Sequence, residues 1–148
     1  MKSKTANLAQ FVADLQFSKL PQDVVERTRL LVLDHVGIAL RARHAAALNS
    51  AMPDSLDVLG LSGGDAVVIG DERSYSPAAA AFYNGNLAHS LDFDDTHARG
   101  SIHPSAPIVP AALAAAEITG ADGQRVVAGI VAGYEGQIRF SIALNPTE

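Results

Sequence analysis

One long helical stripe constrains the fold of this 148-residue chain more than any other feature. Between positions 24 and 39, apolar or small side chains recur at intervals of three and four residues, which places them on one face of a helix. The members of this stripe are Val24, Thr28, Leu31, Val32, His35, Val36 and Ala39. Pro21 precedes the stripe and suits a first-turn position, where its missing N–H costs nothing. We therefore predict a helix over about 22–42.

The rest of the chain has the composition of a helical protein. Alanine, the best helix former, occupies 26 positions, and aromatic residues make up only 5%. The periodicity predicts further helices over about 5–17, 45–59, 77–91, 106–119 and 123–144. In the last of these, Gly129 and Gly133 lie four apart, so another helix can approach closely. The apolar run from Ala66 to Ile69, followed by a Gly-Asp turn, predicts a short β ribbon near 66–75. The predicted fold class is all-α with this one ribbon.

Composition excludes several classes of function. The formal net charge is −5, whereas a nucleic-acid surface needs clustered positive charge. The chain has no cysteine, so disulfides, thiolate metal ligands, iron–sulfur clusters and a thiol nucleophile are all ruled out. No apolar run is long enough for a membrane span, and no secretory leader is visible behind Lys2 and Lys4. We expect a cytoplasmic protein with neither nucleic-acid nor membrane partners.

The chemistry is concentrated in one segment, residues 92–105, together with the histidine just before it. Three carboxylates and three imidazoles lie within fifteen positions. They are His89, Asp92, Asp94, Asp95, His97 and His103. The segment has no helical period and is rich in Asp, Thr, His, Gly and Ser, which is typical of a functional loop.

Three interpretations of this loop compete. A metal site is possible because Asp and His are good ligands, but the spacing matches neither a calcium-binding EF-hand loop nor an HExxH zinc motif. Acid–base catalysis is possible because crowded carboxylates and a nearby imidazole are suited to moving protons near neutral pH. A structural role is possible because Asp caps helices and His-Pro begins turns. We predict no metal and no cofactor.

Other candidate sites carry weaker signals. Asp34 and His35 lie within the apolar stretch of the second helix, which favours a hydrogen-bonded structural pair over a site. The glycine-rich run at 60–64 follows no clear strand and lacks the lysine of a phosphate-binding loop. Gly63 and Gly64 are therefore expected to lie in an ordinary loop.

The motifs of the chain resemble the MmgE/PrpD family. The resemblance rests on Asn84-Gly85, on the run from Ala88 to His97, on His103-Pro104-Ser105 and on Gly133-Tyr134-Glu135 with Arg139. It extends over nearly the whole chain. Members of the family include 2-methylcitrate dehydratase, cis-aconitate decarboxylase and iminodisuccinate epimerase, which use neither a metal nor an iron–sulfur cluster.

The resemblance implies a domain organisation and a set of site residues. Residues 1–148 correspond to the N-terminal part of a helical domain, without the α/β lid domain and the C-terminal helical segment of the family. Family members are typically homodimers, so a homo-oligomer, or a second chain that completes the domain, is the expected partner. By resemblance, Asp92, Thr96 and His103 match positions that line the active site. Asp95 and His97 lie in the same motif and are candidate substrate ligands.

The predicted function follows from the loop and the resemblance together. We expect a fragment of a metal-independent dehydratase-type lyase acting on a small polycarboxylate such as 2-methylcitrate. His103 would transfer the proton, Asp92 would orient it or share the proton transfer, and Thr96 would bind substrate. The alternatives are an epimerase or decarboxylase of the same family, acting on iminodisuccinate or cis-aconitate, and a truncated remnant that only pairs with a partner chain.

Overall fold

The computed structural model describes residues 3–45 and 51–144, and most of these residues are helical. The helices are α1 (Lys4–Ala13), α2 (Gln22–Ala45), α3 (Met52–Val58), α4 (Pro77–His89), α5 (Ser105–Thr119) and α6 (Gly123–Ala143). Two short strands, β1 (Ser62–Val67) and β2 (Ser74–Tyr75), form an antiparallel ribbon. The predicted all-α class with one small ribbon is confirmed. In the described part of the chain, no helix combines the length and apolarity that crossing a bilayer would require.

Local sequence signals set several helix ends. The side chain of Ser76 accepts a hydrogen bond from a backbone N–H in the first turn of α4, and Pro77 follows it as the first helical residue. Asp122 caps α6 in the same way. Gly120 ends α5 with a φ of +61°, a left-handed conformation that glycine adopts without steric cost. These caps explain why the predicted bounds of α4, α5 and α6 lie close to the observed ones.

Two predicted helices end differently in the structure. The first ends at Ala13 rather than near 17, because Gln16 is extended and residues Phe17–Lys19 form a separate 3-10 turn. The third was predicted over 45–59, but α2 continues to Ala45 and α3 begins at Met52, with Pro53 in its first turn. The intervening residues 46–50 of that prediction lie outside the described residues.

The ribbon begins earlier than predicted. Gly63 and Gly64, expected in a loop, belong to β1, where the pairing with Tyr75 shifts register between Ser62 and Ala66. Gly64 has a φ of +138°, and a Cβ there would lie 2.5 Å from the carbonyl oxygen of Tyr75. Glycine is therefore required at Gly64 by a bulge in the strand, and a pair of glycines alone does not distinguish a bulge from a loop.

Helix α4 lies at the centre of the fold and packs against α2 and α5. Its small side chains allow close contact: a Cβ on Gly85 would lie 2.7 Å from the carbonyl oxygen of Ala106 in α5. The predicted close approach in α6 holds at Gly133, where a Cβ would lie 2.6 Å from a methyl group of Ile108, but nothing lies near Gly129. Close packing of α4 on α5 fixes both ends of the loop that connects them.

Candidate functional site

The loop between α4 and α5, residues 90–104, has a shape defined by its own hydrogen bonds. The backbone N–H of His97 donates to the carbonyl of Ile102 at 2.8 Å, and the two residues form a β-bridge. The ring Nδ1 of His97 accepts a hydrogen bond from the N–H of Gly100 at 3.0 Å. Ser141 of α6 donates its hydroxyl proton to the carbonyl of Gly100. The loop is therefore anchored to α6, and its side chains are positioned by the fold.

Asp94 is the buried centre of the site. Its side chain is 1% exposed, and both carboxylate oxygens lie near the Nδ1 of His89, at 3.1 and 3.0 Å. The Nδ1 of His103 lies 3.5 Å from one of the same oxygens without forming a hydrogen bond, at a distance that allows an ion pair when the ring is protonated. The rings of His89 and His103 are 5.0 Å apart. One buried carboxylate thus holds two imidazoles beside each other.

Asp92 completes the group. Its φ of +54° is uncommon for a residue other than glycine, and such strained positions often occur at functional sites. One carboxylate or imidazole atom from each of four residues lies within 4.8 Å of the other three. We call these four residues the His-Asp cluster: His89, Asp92, Asp94 and His103. The two predicted catalytic residues, Asp92 and His103, are therefore brought together.

A cavity of about 680 Å³ adjoins the cluster. His89 and His103 form part of its wall, and the further polar groups are those of Asn86, Ser90, Ser101 and Gln137. The remainder of the lining is small or apolar and comes largely from α4 and α5, as with Phe82. Among the described residues, the lining includes neither lysine nor arginine. The cavity can therefore hold a small molecule against two imidazoles but offers it no permanent positive charge.

Asp95 has a different environment from Asp94. One oxygen accepts the backbone N–H of Ser105, at the start of α5, at 2.9 Å, and the other accepts the hydroxyl of Tyr134 at 3.0 Å. Burial and the nearby Asp95 charge raise the pKa of Tyr134, so this phenol keeps its proton and remains a donor. The observed contacts of Asp95 tie the loop to α5 and α6. Its expected role as a substrate ligand stays a prediction.

Thr96 and His97 lie away from the cavity wall. Thr96 is exposed. His97 is partly buried, and its Nδ1 accepts a hydrogen bond from Gly100 within the loop. Neither is among the described residues that line the cavity. Their predicted contact with substrate therefore requires a ligand that extends beyond this cavity, and it also stays a prediction.

The predicted pairing of Asp34 with His35 is wrong. Asp34 is exposed, whereas His35 is 1% exposed and neither of its ring nitrogens has a hydrogen-bond partner among the described residues. Successive residues on a helix point about 100° apart, so the two side chains face different surroundings. Burial lowers the pKa of His35 to about 4, although the negative charges of Asp94 and Asp95 oppose this shift.

Sequence reasoning did not assign roles to two members of the cluster. His89 and Asp94 were noted in the functional loop but not placed in the catalytic or substrate-binding set. A sequence signal for His89 did exist, because it lies at the end of a predicted helix and directly precedes the loop. Asp94 carried no such signal, since its burial depends on how the loop folds over α4.

Comparisons with known proteins match the chain to one family model and to several relatives. The profile described as the MmgE/PrpD N-terminal domain matches residues 6–148. A cis-aconitate decarboxylase-like protein, oryM of Aspergillus oryzae, is 33% identical over 121 residues, which cover 77% of this chain and 23% of that protein. Cis-aconitate decarboxylase of Aspergillus terreus is 26% identical over 152 residues, which cover 95% of this chain and 29% of that protein. Cis-aconitate decarboxylase of Homo sapiens is 30% identical over 118 residues, which cover 79% of this chain and 24% of that protein.

The chain spans between 23% and 29% of the length of these three relatives. The matched profile, in contrast, covers the chain almost from end to end and includes the whole His-Asp cluster. On the strength of that match, the chain belongs to the MmgE/PrpD family and corresponds to its N-terminal domain.

Proposed function

We propose that this chain supplies the proton-transfer part of the active site of a lyase that acts on a small polycarboxylate in the cytoplasm. The observation that carries the proposal is the position of His103. Its ring forms part of the cavity wall and is 33% exposed, while its Nδ1 lies beside the buried carboxylate of Asp94. An imidazole that is open to a cavity on one side and supported by a carboxylate on the other is suited to moving a proton to or from a bound molecule.

The names of the relatives favour decarboxylation of cis-aconitate as the reaction. In that reaction the bond from carbon to one carboxylate breaks, carbon dioxide leaves and the electron pair stays on carbon. A protonated His103 would then deliver a proton to that carbon. The proton transfer belongs to this chain's own residues and needs no metal.

Dehydration of 2-methylcitrate is the second candidate, because the same imidazole would act there first as a proton acceptor instead of a proton donor. A neutral His103 would accept a proton from the carbon next to a carboxylate. The hydroxyl group on the neighbouring carbon would take up a proton from the resulting imidazolium and leave as water, which returns His103 to its neutral form. An epimerase would use the same first step but return a proton to the opposite face. Asp92, close to His103 within the cluster, would share or steer the proton in each case.

The charge of the cavity indicates a partner. A polycarboxylate brings two or three negative charges, and the lining described above has neither lysine nor arginine to balance them. We therefore propose that a second polypeptide segment, from the same protein or from another copy of it, provides positive charges at the open side of the cavity.

Turnover assays test the proposal. The chain is assayed by itself and as a fusion in which it replaces the matched segment of the Aspergillus oryzae relative. Each form is incubated with cis-aconitate and with 2-methylcitrate, and products are identified by NMR. We expect the folded fusion to turn over one of the two acids and the isolated chain to be much slower. A folded fusion that is inactive on both acids would favour the pairing-only alternative, and full activity of the isolated chain would contradict the need for a partner.

A further inference from the structure

The geometry of the His-Asp cluster fits a metal ion as well as a proton. The Nδ1 of His103 is fully buried and has no hydrogen-bond partner in the described structure, yet it lies 3.5 Å from an oxygen of Asp94. That separation is long for a hydrogen bond. Two ligands of a tetrahedral ion, with bonds of about 2.1 Å, lie about 3.4 Å apart. The buried nitrogen and the carboxylate are therefore spaced as two ligands of one ion.

The other members of the cluster extend the same arrangement. One ligand atom from each of the four residues lies within 4.8 Å of the others. The ligand atoms of a tetrahedral ion all lie about 3.4 Å apart, so the widest pair would have to close by at most about 1.4 Å, a movement within reach of side-chain rotation at the exposed His89 and Asp92. The two carboxylates would balance the charge of a divalent cation. His89 and Asp92 are exposed, which gives the ion a path from solvent.

The donor set selects the kind of ion. Two imidazole nitrogens with two carboxylate oxygens suit zinc and the neighbouring transition metals. Magnesium and calcium prefer oxygen ligands alone and would gain little from the two histidines. We propose that the His-Asp cluster binds one divalent transition-metal ion of the zinc type, and that the bound ion inhibits the acid–base chemistry proposed above. Inhibition follows because a metal on the Nδ1 of His103 leaves the ring proton on the other nitrogen, which faces the cavity and then has no free electron pair to accept a proton.

Binding is tested on the chain itself, without reference to activity. Zinc chloride is titrated calorimetrically into protein purified without a histidine tag, and magnesium chloride is titrated in parallel. We expect one zinc ion per chain and no comparable magnesium binding. His89→Ala and His103→Ala should each weaken zinc binding about tenfold or more. Asp92→Asn, a change at an exposed position that is not expected to disturb folding, should also weaken it.

His44 provides the matched control, because it is an exposed histidine outside the loop. His44→Ala should bind zinc as the unaltered chain does, and circular dichroism checks that every variant is folded. Equal zinc affinity in the unaltered chain and in folded His89→Ala and His103→Ala would overturn the proposal. So would magnesium binding as strong as zinc binding, which would indicate a carboxylate surface only.

The proposed inhibition by the bound ion rests on the proposed function, and it is tested separately by measuring turnover. In the active fusion, added zinc should lower turnover and a chelator should restore it. Zinc binding without any effect on turnover would refute inhibition while leaving the site intact. Loss of activity on chelation, restored by zinc, would contradict both the inhibition and the metal-independent reaction.

Discussion

The side chains of two aspartates, Asp71 and Asp94, have almost the same low exposure but different surroundings. The side chain of Asp71, in the middle of the connection between β1 and β2, is 4% exposed. It accepts hydrogen bonds from Arg43 at 2.9 Å, from Arg73 at 3.1 Å and from the hydroxyl of Tyr75 at 2.9 Å. Asp94 is 1% exposed, and its close partners in the described structure are the imidazoles of the cluster.

The two carboxylates differ in whether their partners are arginines or imidazoles. Burial would raise the pKa of Asp71, but hydrogen bonds from Arg73 and Tyr75 outweigh it and lower the pKa to about 2. Arginine keeps its charge at all ordinary pH values, so this ion pair is permanent. The partners of Asp94 are imidazoles, which, unlike arginine, can both take up and release a proton, as the proposed proton transfer requires. Burial alone does not distinguish the two roles, whereas the partner residues do.

The largest expected effect is the loss of turnover when an imidazole beside Asp94 is removed. His103→Ala should lower the turnover of the active fusion by about 10²–10⁴-fold, the usual contribution of a general acid–base group. It should change the free energy of unfolding much less, because the ring is partly exposed and its Nδ1 makes no hydrogen bond. Steady-state kinetics and urea denaturation measure the two effects separately.

His44→Ala should leave both quantities unchanged, since His44 is exposed and lies outside the loop. A folded His103→Ala variant with normal turnover would show that His103 only shapes the turn before α5.

The next effect is the loss of folding stability when the carboxylate of Asp71 is removed. Asp71→Asn should lower the free energy of unfolding by about 2–3 kcal/mol, because it removes the carboxylate that accepts from two arginines and whose pKa is lowered from 3.8 to about 2. Turnover of the fusion should change little at temperatures where the variant stays folded. Asp57→Asn is the matched control: Asp57 pairs with the same Arg73, but at 4.0 Å and at an exposed position, so the cost should stay below about 1 kcal/mol.

Acid denaturation sharpens this test. The folded pKa of Asp71, about 2, lies below its ordinary value of 3.8. Its contribution to stability is therefore complete above about pH 4 and is lost as the pH falls towards 2. Asp71→Asn should lack this part of the acid transition. Parallel acid transitions in the two proteins would mean that the ion pair adds no stability.

An effect that appears only below neutral pH is expected from His35, which is buried near the negative charges of Asp94 and Asp95. Its folded pKa of about 4 lies below the ordinary value of 6.5, so the unfolded chain binds an extra proton between these values. Stability should therefore fall as the pH drops from 6.5 to 4, by up to about 3 kcal/mol. Urea denaturation across this range measures it, and His35→Leu should flatten the dependence. An equally steep dependence in His35→Leu would assign the extra proton to another group.

Much of the fold could be predicted from the sequence, because the signals are local. The stripe from Val24 to Ala39 forms α2, and the caps at Ser76 and Asp122 begin α4 and α6 as expected. The errors lie where local signals are ambiguous. Gly63 and Gly64 are compatible with either a loop or a bulged strand, and only pairing with Tyr75 decides between them.

The site was predictable in outline but not in detail. The loop, and the proximity of Asp92 to His103, followed from the sequence and the family resemblance. The separate surroundings of Asp94 and Asp95 did not, although the two residues are adjacent. One carboxylate lies beside the imidazoles of His89 and His103, while the other binds the start of α5 and Tyr134. A residue's neighbours in the chain give no indication of which way a loop carboxylate points.

By itself, the sequence determined the helices, the family and the segment that carries the chemistry, since these depend on periodicity, caps and a long motif. Only the tertiary structure decided which charges are buried together. His89 lies at the end of α4, and His103 lies just before α5. Packing of α4 on α5 brings the centres of their two rings to 5.0 Å from each other. The physical reason is that an interaction between charges depends on distance and burial, and both are set by segments far apart in the chain.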